Sequence, residues 1–211
     1  MKQQERTRRT MERILAGAVE EFGTNSYENA SINTICTKNK IAKGLVYHNF
    51  SGKDELYLEC VRICYEHLLD HLRSGMPTPE NAQADLQKMM QLRQEFFEQN
   101  PYYSNIFFNS VLHPPRHLQS RIGEIRRPFE EFCTEYYRCA VQNLTLREGI
   151  SADTALNCFA MFVEMFNGYF QAKTASGSDY RSLIEDHEGK LCTLLDVLLY
   201  GIARPQEPAS E

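Results

Sequence analysis

Apolar residues recur at intervals of three or four positions along most of this 211-residue chain. An α-helix completes one turn in 3.6 residues, so this spacing places such side chains on one face of a helix. No stretch of useful length shows the apolar–polar alternation of a half-buried strand. The sequence therefore predicts an all-α fold. The clearest stripe comprises Met11, Ile14, Leu15, Ala18, Val19 and Phe22.

Residues that favour helix ends divide this pattern into segments. Gly23 is expected to end the first helix as its C′ residue, and Ser31 is expected to cap a short second helix. Ser51 and Asp54 have the spacing of a capping box at the start of a long helix that continues to about Ser74. The other predicted helices cover residues 42–49, 80–99, 102–112, 115–146, 152–175 and 180–202.

Charge is distributed unevenly along the chain. Residues 1–53 contain nine Lys and Arg against five Asp and Glu, whereas residues 54–211 contain fourteen against twenty-three. The net charges are therefore +4 and −9, and a basic head is typical of a segment that meets a polyanion. We predict a helix-turn-helix domain over 1–50, a larger helical domain over 51–203 and a disordered tail over 204–211.

Cysteine usage and motif content narrow the functional class. The seven cysteines form no CxxC pair and no signal peptide precedes them, which is typical of a cytoplasmic protein. The most apolar stretch, 191–202, is too short to span a membrane and contains Asp196. No recognised nucleophile or metal-ligand motif is present, so we expect neither an enzyme nor a bound cofactor.

The segment IAKGLVYHNF, residues 41–50, has the pattern of a recognition helix. A tight turn at Asn39–Lys40 precedes it, as in a helix-turn-helix, whose last helix enters the major groove of DNA. Helical spacing predicts that Ala42, Val46 and Phe50 pack inward. The opposite side would then touch DNA through phosphate or base-edge contacts. That side comprises Lys43, Gly44, Tyr47 and His48.

The longer stretch ASINTICTKNKIAKGLVYHNFSGKDEL resembles the DNA-binding domain of TetR-family transcriptional regulators. Their motif runs T-I-x-x-I-A, S-K-G-x-L-Y-x-x-F and K-x-x-L. The resemblance implies a homodimer that binds a double-stranded DNA operator, with a variable ligand domain and repression usually relieved by a small molecule. The matching residues are Ile32, Ile35, Lys43, Gly44, Tyr47, Phe50, Lys53 and Leu56.

Four positions depart from the family pattern. Cys36 stands for alanine, and Lys40 stands for a turn glycine, so a lysine would bear the cost of a left-handed backbone if that geometry is kept. Ala42 replaces a capping serine or threonine, and Leu45 replaces a threonine at a base-contacting position. The operator sequence therefore cannot be carried over. The predicted DNA-binding residues are Ser31, Lys43, Gly44, Leu45, Tyr47, His48 and Lys53.

The basic residues of the amino terminus could lie along phosphates or in a minor groove, or could belong to a frayed helix start. They are Lys2, Arg6, Arg8, Arg9 and Arg13. Lys53 would lie in the first turn of the next helix, where free backbone N–H groups favour an anion such as phosphate.

Two aromatic stretches, 99–112 and 157–170, are candidates for an effector site, because concave apolar sites use adaptable side chains of this kind. The alternative is that most of these residues belong to the core or to a dimer contact. Glu164 could orient a cationic ligand or face water. The candidates are Tyr102, Tyr103, Phe107, Met161, Phe162, Glu164 and Phe166.

Two apolar helices close the chain, and the family resemblance implies that two copies join through them as a four-helix bundle. The predicted interface comprises Phe159, Val163, Leu191, Leu195 and Leu198.

Cys60, Cys64, His67 and His71 share one helical face and could bind metal or sense oxidants. Four ligands on one straight helix cannot enclose an ion, so at most two would share it, and ordinary packing is the alternative. The alternative hypothesis is a DNA-binding regulator that is controlled by a protein partner, or by metal or thiol sensing, instead of by a small organic ligand.

Overall fold

The computed structural model describes residues 2–78, 82–175 and 180–202, and every regular element in these ranges is a helix. The predicted all-α fold is confirmed, whereas the predicted tail over 204–211 lies outside the described residues. The helices are α1 Lys2–Thr24, α2 Ile32–Lys38, α3 Lys43–Asn49, α4 Lys53–Gly75, α5 Ala82–Gln99, α6 Pro101–Leu112, α7 Gln119–Gln142, α8 Ala152–Ala175 and α9 Tyr180–Ile202, with a 3₁₀ turn at Arg116–Leu118.

Contacts divide the chain into two compact units. The first contains residues up to Leu68 together with Phe96–Arg127, and the second contains Leu69–Glu95 together with the chain from Pro128 onwards. The first unit is therefore larger than the segment 1–50, because α6 and the start of α7 pack with the amino-terminal helices. The functional division at residue 50 stays a prediction.

The core of the first unit forms around α1. Ile14, Ala18 and Phe22 are buried, as the stripe predicted, and α1 packs against α2, α3 and α6. In the second unit, α8 and α9 pack against each other, and the buried residues of each helix are spaced four or seven apart. Among the described residues, no helix has both the length and the hydropathy needed to cross a membrane.

The role predicted for Gly23 was wrong. The first helix continues through it to Thr24, and its backbone stays in the helical region. A Cβ at Gly23 would lie 2.7 Å from the Cα of Tyr102, and Asn105 Nδ2 donates to the Gly23 carbonyl at 2.7 Å. The glycine therefore allows α6 to approach α1 closely, a requirement that the sequence pattern does not reveal.

Two other helix boundaries also differ from the prediction. The Asp54 carboxylate does not close a capping box, because it accepts hydrogen bonds from the Tyr27 hydroxyl and from His117 Nε2. The single helix predicted over 115–146 is a 3₁₀ turn followed by α7, which ends at Gln142. Asn143 and Leu144 donate to carbonyls three residues back, and such bonds tighten the last turn of a helix.

Candidate nucleic-acid interface

The turn between α2 and α3 is a Schellman motif with a lysine at the left-handed position. Ile41 N–H donates to the Cys36 carbonyl at 2.9 Å, Lys40 N–H donates to the Thr37 carbonyl at 3.4 Å, and Lys40 has φ 51°. The family's turn geometry is therefore kept although the glycine is absent. A non-glycine residue in this region costs roughly 1 kcal/mol.

The first helix holds this turn in place. Arg13 Nη2 donates to the Asn39 carbonyl at 2.8 Å, and Asn39 Nδ2 donates to the Ile35 carbonyl at 3.0 Å. Gly17 leaves room for this contact, since a Cβ there would lie 2.3 Å from Asn39 Nδ2. Arg13 is therefore a support of the helix-turn-helix and not part of a free basic arm.

Two further basic residues of the amino terminus, Arg8 and Arg9, are paired within the first helix. The first helix begins at Lys2, and Arg8 pairs with Glu5 at 2.9 Å and with Glu12 at 2.8 Å. Arg9 pairs with Glu5 at 3.0 Å. Any contact of these side chains with phosphate competes with pairs inside the helix.

The start of α2 depends on one buried carboxylate. Ser31 caps the helix by accepting from Asn33 N–H at 3.2 Å, and its own N–H donates to Glu21 Oε1 at 3.0 Å. Glu21 is buried, and its other oxygen lies 3.7 Å from Lys38 Nζ. The sequence does not indicate this role, because Glu21 follows Glu20 and two adjacent carboxylates are typical of a solvated surface. The predicted DNA contact of Ser31 remains a prediction.

The inward side of α3 differs in detail from the prediction. Val46 is 0% exposed and Ile41 is buried, but Ala42 is exposed and Phe50 is half-buried. Ala42 is the N-cap, with ψ 129°, so helical periodicity does not apply to it. The buried Ile41, at the end of the Schellman turn, takes the inward place instead.

The outward side of α3 carries the predicted contact residues. Tyr47 is 49% exposed, and a Cβ at Gly44 would meet no atom within 4 Å. Lys43 Nζ lies 5.7 Å from the centroid of the Tyr47 ring. The helix thus presents a cation, an aromatic hydroxyl, an imidazole and an apolar side chain to the outside. The exposed residues are Lys43, Gly44, Leu45, Tyr47 and His48.

The charged group of Lys53, another predicted contact residue, is already hydrogen-bonded within the protein. Its Nζ donates to the Glu28 carbonyl at 3.2 Å and lies 4.5 Å from the centroid of the Tyr27 ring. Its contact with phosphate stays a prediction.

The cysteines of α4 are placed for packing. Cys60 and Cys64 are fully buried, burial raises the pKa of both thiols, and Cys64 Sγ donates to the Tyr103 carbonyl at 3.3 Å. The reactive and metal-binding form of cysteine is the thiolate, which such burial disfavours. His67 is exposed and His71 half-buried, and within the described ranges no three potential ligands come together.

The effector candidates of the first unit are mostly core. Phe107 is buried among Tyr65, Phe97 and Phe108, with ring centroids 5.0–5.2 Å away. Tyr103 is half-buried between Phe96, on which it stacks at 6.1 Å, and His67. The Tyr102 side chain is exposed. Of these three residues, Tyr103 both packs against its neighbours and remains partly exposed.

The candidates of the second unit divide in the same way. Phe166 is buried, and Phe162 is half-buried with its ring 5.9 Å from that of Phe166. Met161 and Glu164 are exposed on α8. Glu164 therefore faces water in the single chain, one of the two outcomes that the sequence left open.

The predicted dimer residues lie largely inside the single chain. Leu195 is 0% exposed, and Phe159 and Leu191 are buried, so these side chains have no surface left for a partner. Val163 and Leu198 are half-buried. The same two helices expose a second apolar row, which we call the α8–α9 face. It comprises Met161, Met165 and Tyr169 of α8 and Leu194, Val197 and Tyr200 of α9.

A buried polar cluster in the second unit escaped the sequence analysis. The Arg93 guanidinium binds Glu188 through two bonds of 2.8 and 2.9 Å, and Glu188 Oε1 lies 3.1 Å from His187 Nδ1. His187 is 1% exposed, and its Nε2 lies 3.0 Å from Asn167 Oδ1. Arg93, Asn167 and the adjacent pair His187–Glu188 are far apart in sequence, and only the packing of α5, α8 and α9 brings them together.

Protonation within this cluster follows from its burial. Burial lowers the pKa of His187, and although burial also disfavours the Glu188 carboxylate, the Arg93 guanidinium lowers its pKa. Both ring nitrogens of His187 face oxygens, which favours a charged ring. A neutral ring fits the same contacts when the Asn167 amide is turned so that its NH₂ group donates to Nε2.

The fold and the exposed α3 define an all-α protein of the helix-turn-helix DNA-binding class. Residues 14–60 match the family model described as bacterial regulatory proteins, tetR family. The amino-terminal part of the chain is thus similar to the DNA-binding domain of TetR-family transcriptional regulators. No curated protein matches it in sequence.

Several solved structures share this fold over most of the chain. FadR from Bacillus subtilis, in complex with stearoyl-CoA, aligns with a TM-score of 0.65 and 14% identity over 91% of this chain and 99% of its own. A TetR family regulator from Chloroflexus aurantiacus gives 0.60 and 20%, with coverages of 94% and 95%. The ketosteroid transcriptional regulator KstR2 of Mycobacterium tuberculosis gives 0.56 and 17%, with coverages of 93% and 96%.

Proposed function

We propose that this chain is a TetR-family regulator, which acts in the cytoplasm as a homodimeric repressor, binds a DNA operator through α3 and leaves it when a small apolar or aromatic effector binds. The observation that carries the proposal is the outward side of α3. Lys43, Leu45 and Tyr47 are exposed there, although Val46 anchors the helix to its unit.

Each outward residue suits a different part of a DNA groove. The Lys43 ammonium can donate to a phosphate or a guanine edge, and the Tyr47 hydroxyl and the His48 ring can donate to phosphate oxygens. Gly44 lets the helix approach the backbone closely, since no neighbouring atom limits that position. Leu45 can contact a thymine methyl group, where a threonine would combine a methyl with a hydroxyl.

Two copies are proposed to join through the α8–α9 face. A two-fold axis sets the same face of each copy against its mate, and exposed apolar patches of this kind mark association sites. The dimer would present two copies of α3 to half-sites about 34–36 Å apart, or a multiple of that spacing. Effector binding would favour a conformation whose spacing no longer fits successive grooves.

The effector class is proposed from partly accessible aromatic residues, Tyr103 in the first unit and Phe162 in the second. FadR in complex with stearoyl-CoA and the ketosteroid transcriptional regulator KstR2 share the fold of this chain, and the stearoyl chain of the FadR ligand is apolar. Because their identity to this chain is 14–17%, they support the fold, and the choice among apolar effectors rests on experiment.

DNA binding is tested with a duplex that the wild-type protein selects from a random pool. Lys43→Ala and Tyr47→Phe should weaken binding in fluorescence anisotropy without changing the melting temperature. Lys43→Ala should also reduce the magnitude of the log–log salt slope by about one per half-site if Lys43 meets phosphate. Arg73→Ala, which removes an exposed cation of α4 outside the head, is the matched control. Unchanged affinity in both α3 variants would refute the assignment.

Effector binding is tested by thermal shift with stearoyl-CoA, stearate and a steroid ketone, since a ligand of the native state raises the melting temperature. Tyr103→Ala or Phe162→Ala should then weaken the compound far more than the DNA. Equal loss of both functions would indicate core damage. Failure across a broad screen would favour control by a protein partner.

A further inference from the structure

The first turn of α4 joins three segments of the first unit. Lys53 contacts the loop between α1 and α2, through the Glu28 carbonyl and the Tyr27 ring. Asp54 contacts Tyr27 in that loop and His117 in the 3₁₀ turn. Glu55 pairs with Arg121 of α7, whose Nη2 lies 2.9 Å from Glu55 Oε2. Three consecutive residues therefore connect the head to the segment 116–121.

Asp54 is the branch point of these contacts. Its Oδ1 accepts the Tyr27 hydroxyl, and its Oδ2 lies 3.1 Å from His117 Nε2. The carboxylate thus uses one oxygen for the head and the other for the 3₁₀ turn. Neither bond can shift without changing the orientation of the shared group.

Tyr27 carries the connection onward to Lys53. Its ring packs at 5.0 Å against Tyr57 and at 5.8 Å against His117, while the Lys53 ammonium lies on the ring at 4.5 Å. Burial and the Asp54 hydrogen bond raise the pKa of Tyr27, so its hydroxyl stays a donor. The position of the ring therefore depends on Asp54, and the Lys53 ammonium depends on the ring.

We propose that Tyr27, Asp54 and His117 are positioning residues for DNA binding, which set the place of the Lys53 ammonium and transmit to it any displacement of the segment 116–121. The inference rests on the proposed function, because it requires Lys53 to act at DNA. These residues provide a defined route along which a displacement at the start of α7 would pass through α4 to the head. The ion pair between Arg121 and Glu55 is a second contact between the same segment and α4.

A double-mutant cycle between His117 and Lys53 tests this route, because the two side chains are connected only through Tyr27 and Asp54 in the contacts described above. The full-length variants are His117→Ala, Lys53→Met and their combination, and Lys53→Met keeps an apolar stem on Tyr27. Affinity is measured on the duplex selected by the wild-type protein. His117→Gln, which keeps an N–H donor, and Gln119→Ala, an exposed neighbour in the same segment, are the controls.

Each single variant should lose about two- to fivefold in affinity for each subunit, as expected for contacts that are partly exposed. His117→Ala should have no further effect in the Lys53→Met background, His117→Gln should recover much of the loss, and Gln119→Ala should match wild type. Tyr27→Phe should resemble His117→Ala. Equal melting temperatures would show that the changes are local.

Three results would overturn the inference: losses that multiply in the double variant, a His117→Ala variant that binds as well as wild type, or an unaffected Lys53→Met. In each case intact sensitivity to Lys43→Ala would leave the proposed function standing. If Lys43→Ala and Tyr47→Phe also bound normally, the proposed function itself would fail.

Discussion

Two surfaces of this protein expose large apolar side chains, and their surroundings differ. On α3, Leu45 and Tyr47 alternate with Lys43 and His48, in a head of net charge +4. On the α8–α9 face, six large apolar residues follow one another at helical spacing, within a remainder of net charge −9. Exposed apolar groups among cations suit a polyanion, whereas a continuous apolar row suits a copy of itself.

The largest expected effect is a difference in unfolding free energy between variants of two residues of α9, Leu195 and Val197. Leu195 is 0% exposed and Val197 is 60% exposed, so Leu195→Ala should cost about 2–5 kcal/mol of unfolding free energy. Val197→Ala should change it by less than about 0.5 kcal/mol in the monomeric unit. Chemical denaturation measures both in the Met165→Glu background, which the proposed interface makes monomeric. Similar costs for the two would show that the inward and outward rows of α9 are misassigned.

The same helix tests the proposed dimer. Val197→Glu places a charge on the α8–α9 face and should yield a folded monomer by light scattering, with most specific DNA affinity lost although the head is untouched. A dimeric Val197→Glu that binds its duplex normally would exclude this residue from the interface. If the Met165→Glu variant were also dimeric, the α8–α9 face would not be the dimer interface.

The head should be sensitive to a single carboxylate. Glu21→Ala removes the acceptor of the Ser31 N–H and should cost about 1–3 kcal/mol, because a buried polar group loses its partner. Glu20→Ala removes the neighbouring carboxylate, which is more exposed, and should stay within about 0.5 kcal/mol of wild type. Equal stabilities in urea denaturation would contradict the role given to Glu21.

Acid should destabilise the second unit through His187. Burial lowers the pKa of this histidine below its ordinary value of 6.5, so the unfolded chain binds the proton first and stability falls as pH decreases through that value. The melting temperature should drop from about pH 7.5 to about pH 5.5. His187→Gln should flatten this dependence, and an unchanged slope in that variant would assign the effect elsewhere.

The smallest effect concerns the turn of the head. Lys40→Gly should stabilise the protein by about 0.5–1 kcal/mol, because glycine adopts φ 51° without the steric cost that lysine bears. Lys40→Ala separates this effect from loss of the charge, since alanine keeps the cost. Denaturation should therefore rank Lys40→Gly above Lys40→Ala, and the reverse order would mean that the turn is not strained.

Apolar periodicity was sufficient to predict the helices, but it did not predict what each helix face contacts. It placed Leu195 on an apolar face, yet a row that packs within the chain and a row that meets a partner have the same spacing. It also put Ala42 inward, because spacing alone does not show that the helix begins one residue later. Gly23, Glu21 and the cluster around Arg93 depend on neighbours distant in sequence, which a local pattern does not contain.

The central claim is that α3 meets DNA while the α8–α9 face meets a second copy. Hydroxyl-radical footprinting of the wild-type protein on its selected duplex tests both parts at once. We expect two protected patches, related by two-fold symmetry, with centres about 10 base pairs or a multiple of that distance apart. A single asymmetric patch, or protection that Lys43→Ala leaves unchanged, would contradict this account.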